Sequence, residues 1–315
     1  MTRLIEASGP QVLAGDATRR GIVESRVVMP HESGASGIAI TTRQCPDPNQ
    51  VVTGSPAFAG DDARCDKIIP GQIPQAHTTR HSASVAVASE ITVAGVTFVA
   101  DLAGALYCPG EQLLIVSDLH LEKGSSFAAR GVLLPPYDTA STLERLAGIL
   151  SRYVVHVVIA LGDNFHDPSG PARLAAADRA RLFELQRGRD WIWIAGNHDP
   201  DPADRIGGVF ARSLALGPLL FRHEPTLHAN PGEIAGHLHP VARVSRRGLT
   251  LARRCFVSDE TRLVMPAFGA YAGGLNIRHG AFMQVFGALA FTAHLLGQRR
   301  LYAFAAARCL SDGGL

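Results

Sequence analysis

Lysine is nearly missing from this sequence. Only Lys67 and Lys123 occur, and arginine carries the rest of the positive charge, a bias read mainly as a coding preference. Cysteine is sparse and unpatterned: Cys45, Cys65, Cys108, Cys255 and Cys309 are odd in number and show no CxxC spacing. That argues against a disulfide framework and a structural zinc cluster, and fits a reducing compartment. Long apolar runs are absent too. The longest, "AFMQVFGALAFTAHLL" at 281–296, is too short and too interrupted to span a bilayer. No charged start followed by an apolar segment opens the chain, so no signal peptide is expected. The charge balance is close to even, at +2, and gives no general argument for a nucleic-acid or membrane partner. A cytoplasmic, soluble protein is the expectation, and 315 residues suffice for one large domain or two small ones. No internal repeat is visible.

Residues 1–84 differ from the remainder. "PHESGASG", "QCPDPNQ", "VVTGSPAFAGDDARCDK" and "IIPGQIPQAHTTRHSAS" interrupt each apolar run with Gly, Pro, Ser and Asp before a strand or helix matures. Such a segment buries too little apolar surface to offset the entropy of ordering it. A disordered extension, or a start placed too early, is expected over 1–84, then one domain over 85–305 and a tail over 306–315.

Within that domain the pattern tightens. "EITVAGVTFVAD" reads as a hairpin around Gly95, and "ALYCP", "QLLIVSD", "VVHVVIALGD" and "DWIWIAGNHD" as further strands. "DTASTLERLAGILSRY" has Leu143, Leu146, Ile149 and Leu150 at helical spacing behind a Thr/Ser-rich start able to cap it. "PARLAAADRARLFELQR" reads as one helix with Pro171 in its first turn. "PLLFRHE", "EIAGH", "VARVSRR", "RRCFVSDE" and "RLVMPAF" are short later strands. Strands and helices alternate first and strands dominate later, which predicts an α/β layered sandwich with a mixed sheet on one side.

Five polar blocks stand just past apolar strands: Asp118 and His120 in "SDLH", Asp163 in "LGDNFHD", Asn197 and His198 in "AGNHD", His223 in "FRHE", and His237 with His239 in "GHLH". In an extended segment, side chains at i and i+2 point the same way, so Asp118/His120 and His237/His239 read as two-pronged claws. Carboxyl ends of strands form the ligand crevice of open α/β sheets. Gly162, Gly196 and Gly236 precede the polar residues, where the backbone must turn and pass close to a bound group. Imidazole, carboxylate and amide oxygen without thiolate suit Mn²⁺, Fe²⁺ or Zn²⁺ better than Mg²⁺ or Ca²⁺. Seven ligands exceed one tetrahedral site and suffice for two metals ~3.5–4 Å apart. Asp163, on the middle strand, is the natural bridge. A lone D-x-H is usually a surface turn and a lone GD says nearly nothing; their order, each behind a strand, carries the signal.

These blocks resemble those of the calcineurin-like metallophosphoesterases, which read D-x-H, GD, GNH[ED], H and GH-x-H. More narrowly, "SDLHLEKGSSFAARGVLLPPYDTASTLERL", "LGDNFHDP", "GRDWIWIAGNHDP", "FRHEP", "GEIAGHLHP" and "RLVMPAFGAYAGGLN" are similar to bacterial ligase-associated DNA-damage-response phosphoesterases. The likeness covers about 85–305 and is loose after 280; Asn164 stands where that pattern has Ser. The resemblance implies a β-sandwich flanked by helices and two divalent metals, Mn²⁺ first, with Fe²⁺ or Zn²⁺ as alternatives. Asp118, His120, Asp163 and His239 would hold one, and Asp163, Asn197, His223 and His237 the other, with a bridging hydroxide attacking phosphorus in line. His198 would protonate the leaving oxygen or steady the phosphoryl charge, with Asp199 orienting its ring. The implied activity is an endonuclease acting on DNA or RNA in repair, beside an ATP-dependent DNA ligase, a helicase and a partner nuclease.

Candidate substrate contacts are Lys123, Arg130 and His166, with Arg243, Arg246 and Arg247 in "ARVSRRGLTLARR", a stretch that reads either as exposed strand edges or as a phosphate-contacting rim. Asp167 reads as a neighbour of the metals or as part of a polar loop. His156, mid-strand in "VVHVV", reads as a packed core residue, and core packing suits at least one of Trp191 and Trp193. Two other readings stay open: the same centre acting on a small nucleotide or pyrophosphate, and a non-catalytic scaffold on the same fold.

Overall fold

The structure, a computed structural model, describes residues 3–6, 24–29, 39–43, 89–199, 206–227 and 230–312. Three strands fall inside the N-terminal segment where the turn-forming residues predict none: β1 (Arg3–Glu6), β2 (Glu24–Met29) and β3 (Ala39–Arg43) pair antiparallel in a sheet of their own. Short runs such as "RVV" and "ITT" are enough for local strand pairing. The rest of 1–84, and with it the expected disordered extension, lies outside the described residues.

The first large sheet is built from β4 (Ser89–Val93), β5 (Val96–Ala100), β6 (Leu106–Cys108), β7 (Leu113–Ser117), β8 (Val157–Leu161), β9 (Asp190–Ile194) and β10 (Val209–Ala211). Its order is β10-β9-β8-β7-β6-β5-β4. The β7 to β10 half is parallel and the β4 to β7 half antiparallel. The second sheet contains β11 (Ser213–Leu216), β12 (Leu219–Arg222), β13 (Glu233–Ala235), β14 (Pro240–Arg246), β15 (Leu249–Ser258), β16 (Leu263–Val264) and β17 (Leu275–Asn276). It is completed by β18 (Thr292–Leu296) and β19 (Leu301–Ala305) beside β15. Both sheets are mixed, where the sequence predicts one.

The period-2 alternation of the strands decides the layering. Leu113, Ile115, Val157, Ile159, Ile192 and Ile194 face Phe221, Ile234, Phe256 and Met265 of the second sheet. Leu114, Val116, Val158, Ala160, Trp191 and Trp193 face the other way, against helices α2 (Asp138–Leu150) and α4 (Ala176–Gln186); both tryptophans are core. A third core lies between the far face of the second sheet and a C-terminal helix, Gly280–Phe286. The layers run helix, sheet, sheet, helix, the α/β sandwich expected.

Three local readings need correction. The segment "PARLAAADRARLFELQR" is two helices, α3 (Gly170–Arg173), with Pro171 in its first turn, and α4, because Leu174 and Ala175 take extended ψ values of 119° and 147°. The Thr/Ser-rich start of α2 provides no side-chain cap. Instead Asp138 accepts from Gly124 N, and Thr139 Oγ1 accepts from Glu122 N and donates to the Glu122 carboxylate, which fastens the short helix α1 (Lys123–Ala128). His156 is exposed, because β8 begins one residue later. The C-terminal residues also pack on the domain: Leu310 N donates to Arg243 O, and Cys309 is buried. Among the described residues no helix is long and apolar enough to cross a membrane.

Candidate metal centre

The three parallel strands β7, β8 and β9 end together, and their following residues run side by side. Asp118 N donates to Gly162 O, His120 N to Asp163 O and Leu121 N to Asn164 O. The second sheet meets this rim from across the sandwich: Gly236 N donates to His223 O, and Phe268 N and Gly269 N to Ser117 O and Asp118 O. Two sheets thus deliver residues more than a hundred positions apart to one place.

Two groups of donor atoms result, each within 4.8 Å: Asp118, His120 and His239, and Asp163, His223 and His237. In the first, His239 Nε2 lies 3.1 Å from Asp118 Oδ1 and 3.3 Å from His120 Nε2. In the second, His223 Nε2 lies 3.3 Å from Asp163 Oδ1, 3.2 Å from His237 Nδ1 and 2.9 Å from Asn197 Oδ1. Asp163 Oδ2 is also 4.0 Å from His120 Nε2, so its carboxylate faces both groups. All seven sequence-derived ligands are therefore brought together.

The claws are not extended segments. Asp118, His120, Asp163, His237 and His239 all have positive φ, between 43° and 69°. Such left-handed backbone costs non-glycine residues of order 1–2 kcal/mol each and clusters at functional sites. Asp118 and His120 still converge, but His237 and His239 turn to different groups. The glycines act mainly through space. A Cβ on Gly236 would sit 1.9 Å from Ser117 Oγ and 2.5 Å from Asp118 Oδ2, and one on Gly196 2.1 Å from Asp163 N and 2.3 Å from Asp163 Oδ1; of the three only Gly162 has positive φ.

Burial and pairing set the electrostatics. Asp118, Asp163 and His223 are nearly inaccessible. Burial pushes the Asp118 carboxyl up, but hydrogen bonding and charge from His239, the charge of His223 and the Ser117 hydroxyl outweigh it and hold it below its ordinary value. Asp163 is likewise held below the carboxylate range, against burial, by His223 and by the backbone N–H of His198. His223 is raised to about 9: burial opposes its charge, yet the Asp163 hydrogen bond and the Asp118 charge win. His120 is lowered to about 4 by burial. With one imidazole of a close pair protonated and carboxylates ionised, the cluster is a site in which a divalent cation would replace protons.

The surroundings fit that group. His223 Nδ1 lies 2.9 Å from Leu161 O, which turns Nε2 inward. Ser117 Oγ donates to Asp118 Oδ2 at 2.5 Å; Ser117 adjoins the motif, but its residue type alone does not mark the contact. The mixed N/O donor set, with no sulfur, suits Mn²⁺, Fe²⁺ or Zn²⁺.

His198 stands beside the ligands with 38% of its side chain exposed and Nε2 3.8 Å from Asp163 Oδ2. Its ring is oriented by the His166 carbonyl, 2.8 Å from Nδ1, not by Asp199 as expected. The buried Asp199 carboxylate accepts from Gly196 N, Asn164 N and Phe165 N, clasping two ligand loops. Burial raises it to about 6, with the Asp163 charge adding to the rise.

The expected substrate contacts separate into two places. His166 stacks on His198 and Phe127, with ring centroids 5.3 and 5.5 Å away. Burial, together with the charges of Lys123, His198 and Arg130, lowers its pKa. Lys123 Nζ donates to Tyr271 O, and Arg130 to Ser126 Oγ. Asp167 pairs with Arg173 and belongs to neither donor group. The arginine stretch lies on β14 and β15. Arg243 pairs with Asp312 at 3.3 Å, Arg254 turns in to Ala267 O, and Arg247 and Arg253 are exposed. Arg246 is placed on β14, but its side chain lies outside the described residues.

Residues 112–254, which include every one of these ligands, match the family described as calcineurin-like phosphoesterase. Among solved structures, the nuclease MPE of Pseudomonas putida is similar, with a TM-score of 0.52 and 26% identity, over 69% of this chain and 100% of that one. No curated protein matches. The stretch that carries the donor groups is thus similar to the calcineurin-like phosphoesterases.

Proposed function

We propose that this protein is a dinuclear metal-dependent phosphodiesterase that cleaves nucleic-acid backbones, with Mn²⁺ as the favoured metal and DNA as the favoured polymer. The observation that carries the reading is the pair of donor groups joined by one carboxylate, Asp163. Asp118, His120, Asp163 and His239 would hold one cation, and Asp163, Asn197, His223 and His237 the other. Bound there, two such cations supply Lewis-acid chemistry and lower the pKa of water from ~15.7 toward ~7.

The chain's own residues do the rest. The αL backbone and the Gly236 and Gly196 contacts fix the ligands before substrate arrives, so little reorganisation accompanies reaction. His198, exposed and held at Nδ1 by a carbonyl, presents Nε2 to the cleft, where it can give a proton to a departing alkoxide. Lys123 and Arg130 stand on the same side as His166 and would add positive charge for a phosphate next to the scissile one.

A polymer is favoured over a small nucleotide because the rim is open: Asn197 is exposed and His198 is partly so. The similarity to a nuclease points the same way. A role in DNA repair and work beside an ATP-dependent ligase, helicase and partner nuclease are parts of this proposal that rest on the sequence resemblance; a cytoplasmic setting rests on the sparse, unpatterned cysteines. The test is hydrolysis of single-stranded and duplex DNA, bis-p-nitrophenyl phosphate and mononucleotides, with Mn²⁺ and with chelator. Metal-dependent cleavage of DNA supports the reading. Preference for mononucleotides moves it to a small substrate, and inactivity of well-folded, metal-loaded protein on all of them leaves a scaffold.

A further inference from the structure

Directly after His239 the chain leaves the metal centre as strand β14, turns at Arg247–Gly248 and returns as β15. Ala242 and Val244 are buried in the third core and Leu310 N donates to Arg243 O, so the part of the hairpin that stands free is its tip, Ser245–Thr250, with the exposed start of β15. β17 accompanies β14 only at Pro240 and Val241, and β18 accompanies β15 only from Cys255 onward. Residues 249–253 are all exposed, so both faces of β15 are open there. An isolated ribbon of this kind is marginal on its own.

Its composition is one-sided. Between Pro240 and Arg254 there are five arginines and no Asp or Glu. Protection of a sheet edge by charge could use either sign. The tip is more telling. Arg246 pairs with Leu249, leaving a two-residue turn with φ of 53° at Arg247 and 76° at Gly248. Such turns favour Asn, Asp or Gly at the first central position. An arginine there accepts backbone strain and sets a guanidinium at the extreme end of the ribbon, where it guards no edge.

We infer that this ribbon is a duplex-gripping arm: it enters the major groove of double-stranded nucleic acid flanking the cleavage site, with Arg247 and Arg253 on the phosphates. The inference rests on the nucleic-acid reading above and deepens it. Two strands ~4.8 Å apart suit a groove ~12 Å wide that admits a two-stranded β-ribbon. The free tip from Ser245 to the turn is short, ~7–10 Å at ~3.3 Å per residue, which matches the ~8.5 Å depth of that groove. The substrate is then a strand cut beside a duplex.

The experiment measures binding by fluorescence anisotropy in chelator, so that no cleavage is needed. The full chain is titrated with a labelled single strand of twelve nucleotides, and with the same strand joined to a ten-base-pair stem, across 50–300 mM salt. The stem should tighten binding about tenfold or more, the gain coming from phosphate neutralisation. Arg247→Gly suits the turn and should not lower the thermal midpoint, so a binding loss cannot be unfolding. Combined with Arg253→Gln, it should remove most of the stem's advantage and reduce the salt slope by about 0.9 per lost phosphate contact. Equal affinity for both DNAs, or a double variant that keeps wild-type stem affinity and slope, overturns the arm. Poly-glutamate competing as well as the stem overturns it in favour of an acidic protein partner. Wild-type hydrolysis of bis-p-nitrophenyl phosphate with Mn²⁺ is read separately. Hydrolysis without stem preference sinks only the arm, and stem preference without hydrolysis sinks only the catalytic reading.

Discussion

The Asp163 carboxylate faces two histidines from opposite sides, with Oδ1 3.3 Å from His223 Nε2 and Oδ2 4.0 Å from His120 Nε2. Its two oxygens are thus shared between the two donor groups. Asp163→Asn keeps the shape and removes the charge. It should cut hydrolysis by ~10³-fold or more, since Lewis-acid stabilisation is worth several kcal/mol. Metal content by emission spectrometry should fall below two per chain; two tightly held ions in the variant would refute the bridging role.

His198 is exposed beside the ligands but is not among them. His198→Ala should therefore retain both metals. Its cost should depend on the leaving group: about 10²–10⁴-fold for DNA, whose alkoxide needs a proton, and much less for bis-p-nitrophenyl phosphate, whose phenolate leaves unaided. Equal losses on both substrates would exclude proton donation.

Gly236 sits where a methyl group would strike Ser117 Oγ at 1.9 Å and Asp118 Oδ2 at 2.5 Å. Gly236→Ala should destabilise the fold by about 3 kcal/mol and empty the first metal group. Gly273→Ala, which meets nothing within 4 Å, serves as the control. Calorimetry and metal titration of both variants check this.

Arg262 and Glu233 form a buried ion pair, only 3% and 1% exposed, and Arg262 also holds Thr226 O and Val285 O. The pair ties the segment after His223 to the strand leading into His237. Arg262→Met alone should cost roughly 3–5 kcal/mol, because it strands a buried carboxylate. Adding Glu233→Gln should restore part of that. Urea unfolding of the four proteins in the cycle gives the coupling, and strict additivity would deny it.

Arg173 holds the Asp167 carboxyl well below the usual carboxylate range through paired hydrogen bonds of 2.7 and 3.0 Å. A folded-state pKa below the unfolded value of ~3.9 means the unfolded chain binds the proton more readily. The pair's stabilisation is therefore complete above that value and lost as pH falls through and below it. Asp167→Asn should unfold with a shallower acid slope than wild type between pH 5 and 3, measured as urea midpoints. Parallel curves would show the pair contributes nothing.

The sequence by itself determined the strands β4 to β9 of the first sheet, the helix over 138–150 and the seven candidate ligand positions. Each is a local property: alternating apolar residues make a buried strand, and a polar residue just past it must lie at the rim. It also identified the arginine stretch as a unit. The tertiary structure alone decided which donors meet. Both claws adopt left-handed backbone, yet Asp118 and His120 share a group while His237 and His239 part company, which no spacing rule predicts, and Asp199 clasps three backbone N–H groups that only folding brings beneath it. His166's carbonyl, rather than a carboxylate, steers His198 because main-chain acceptors leave no mark in a sequence. The ribbon's exposure was equally hidden, since where neighbouring strands stop depends on the lengths of β17 and β18, far away along the chain.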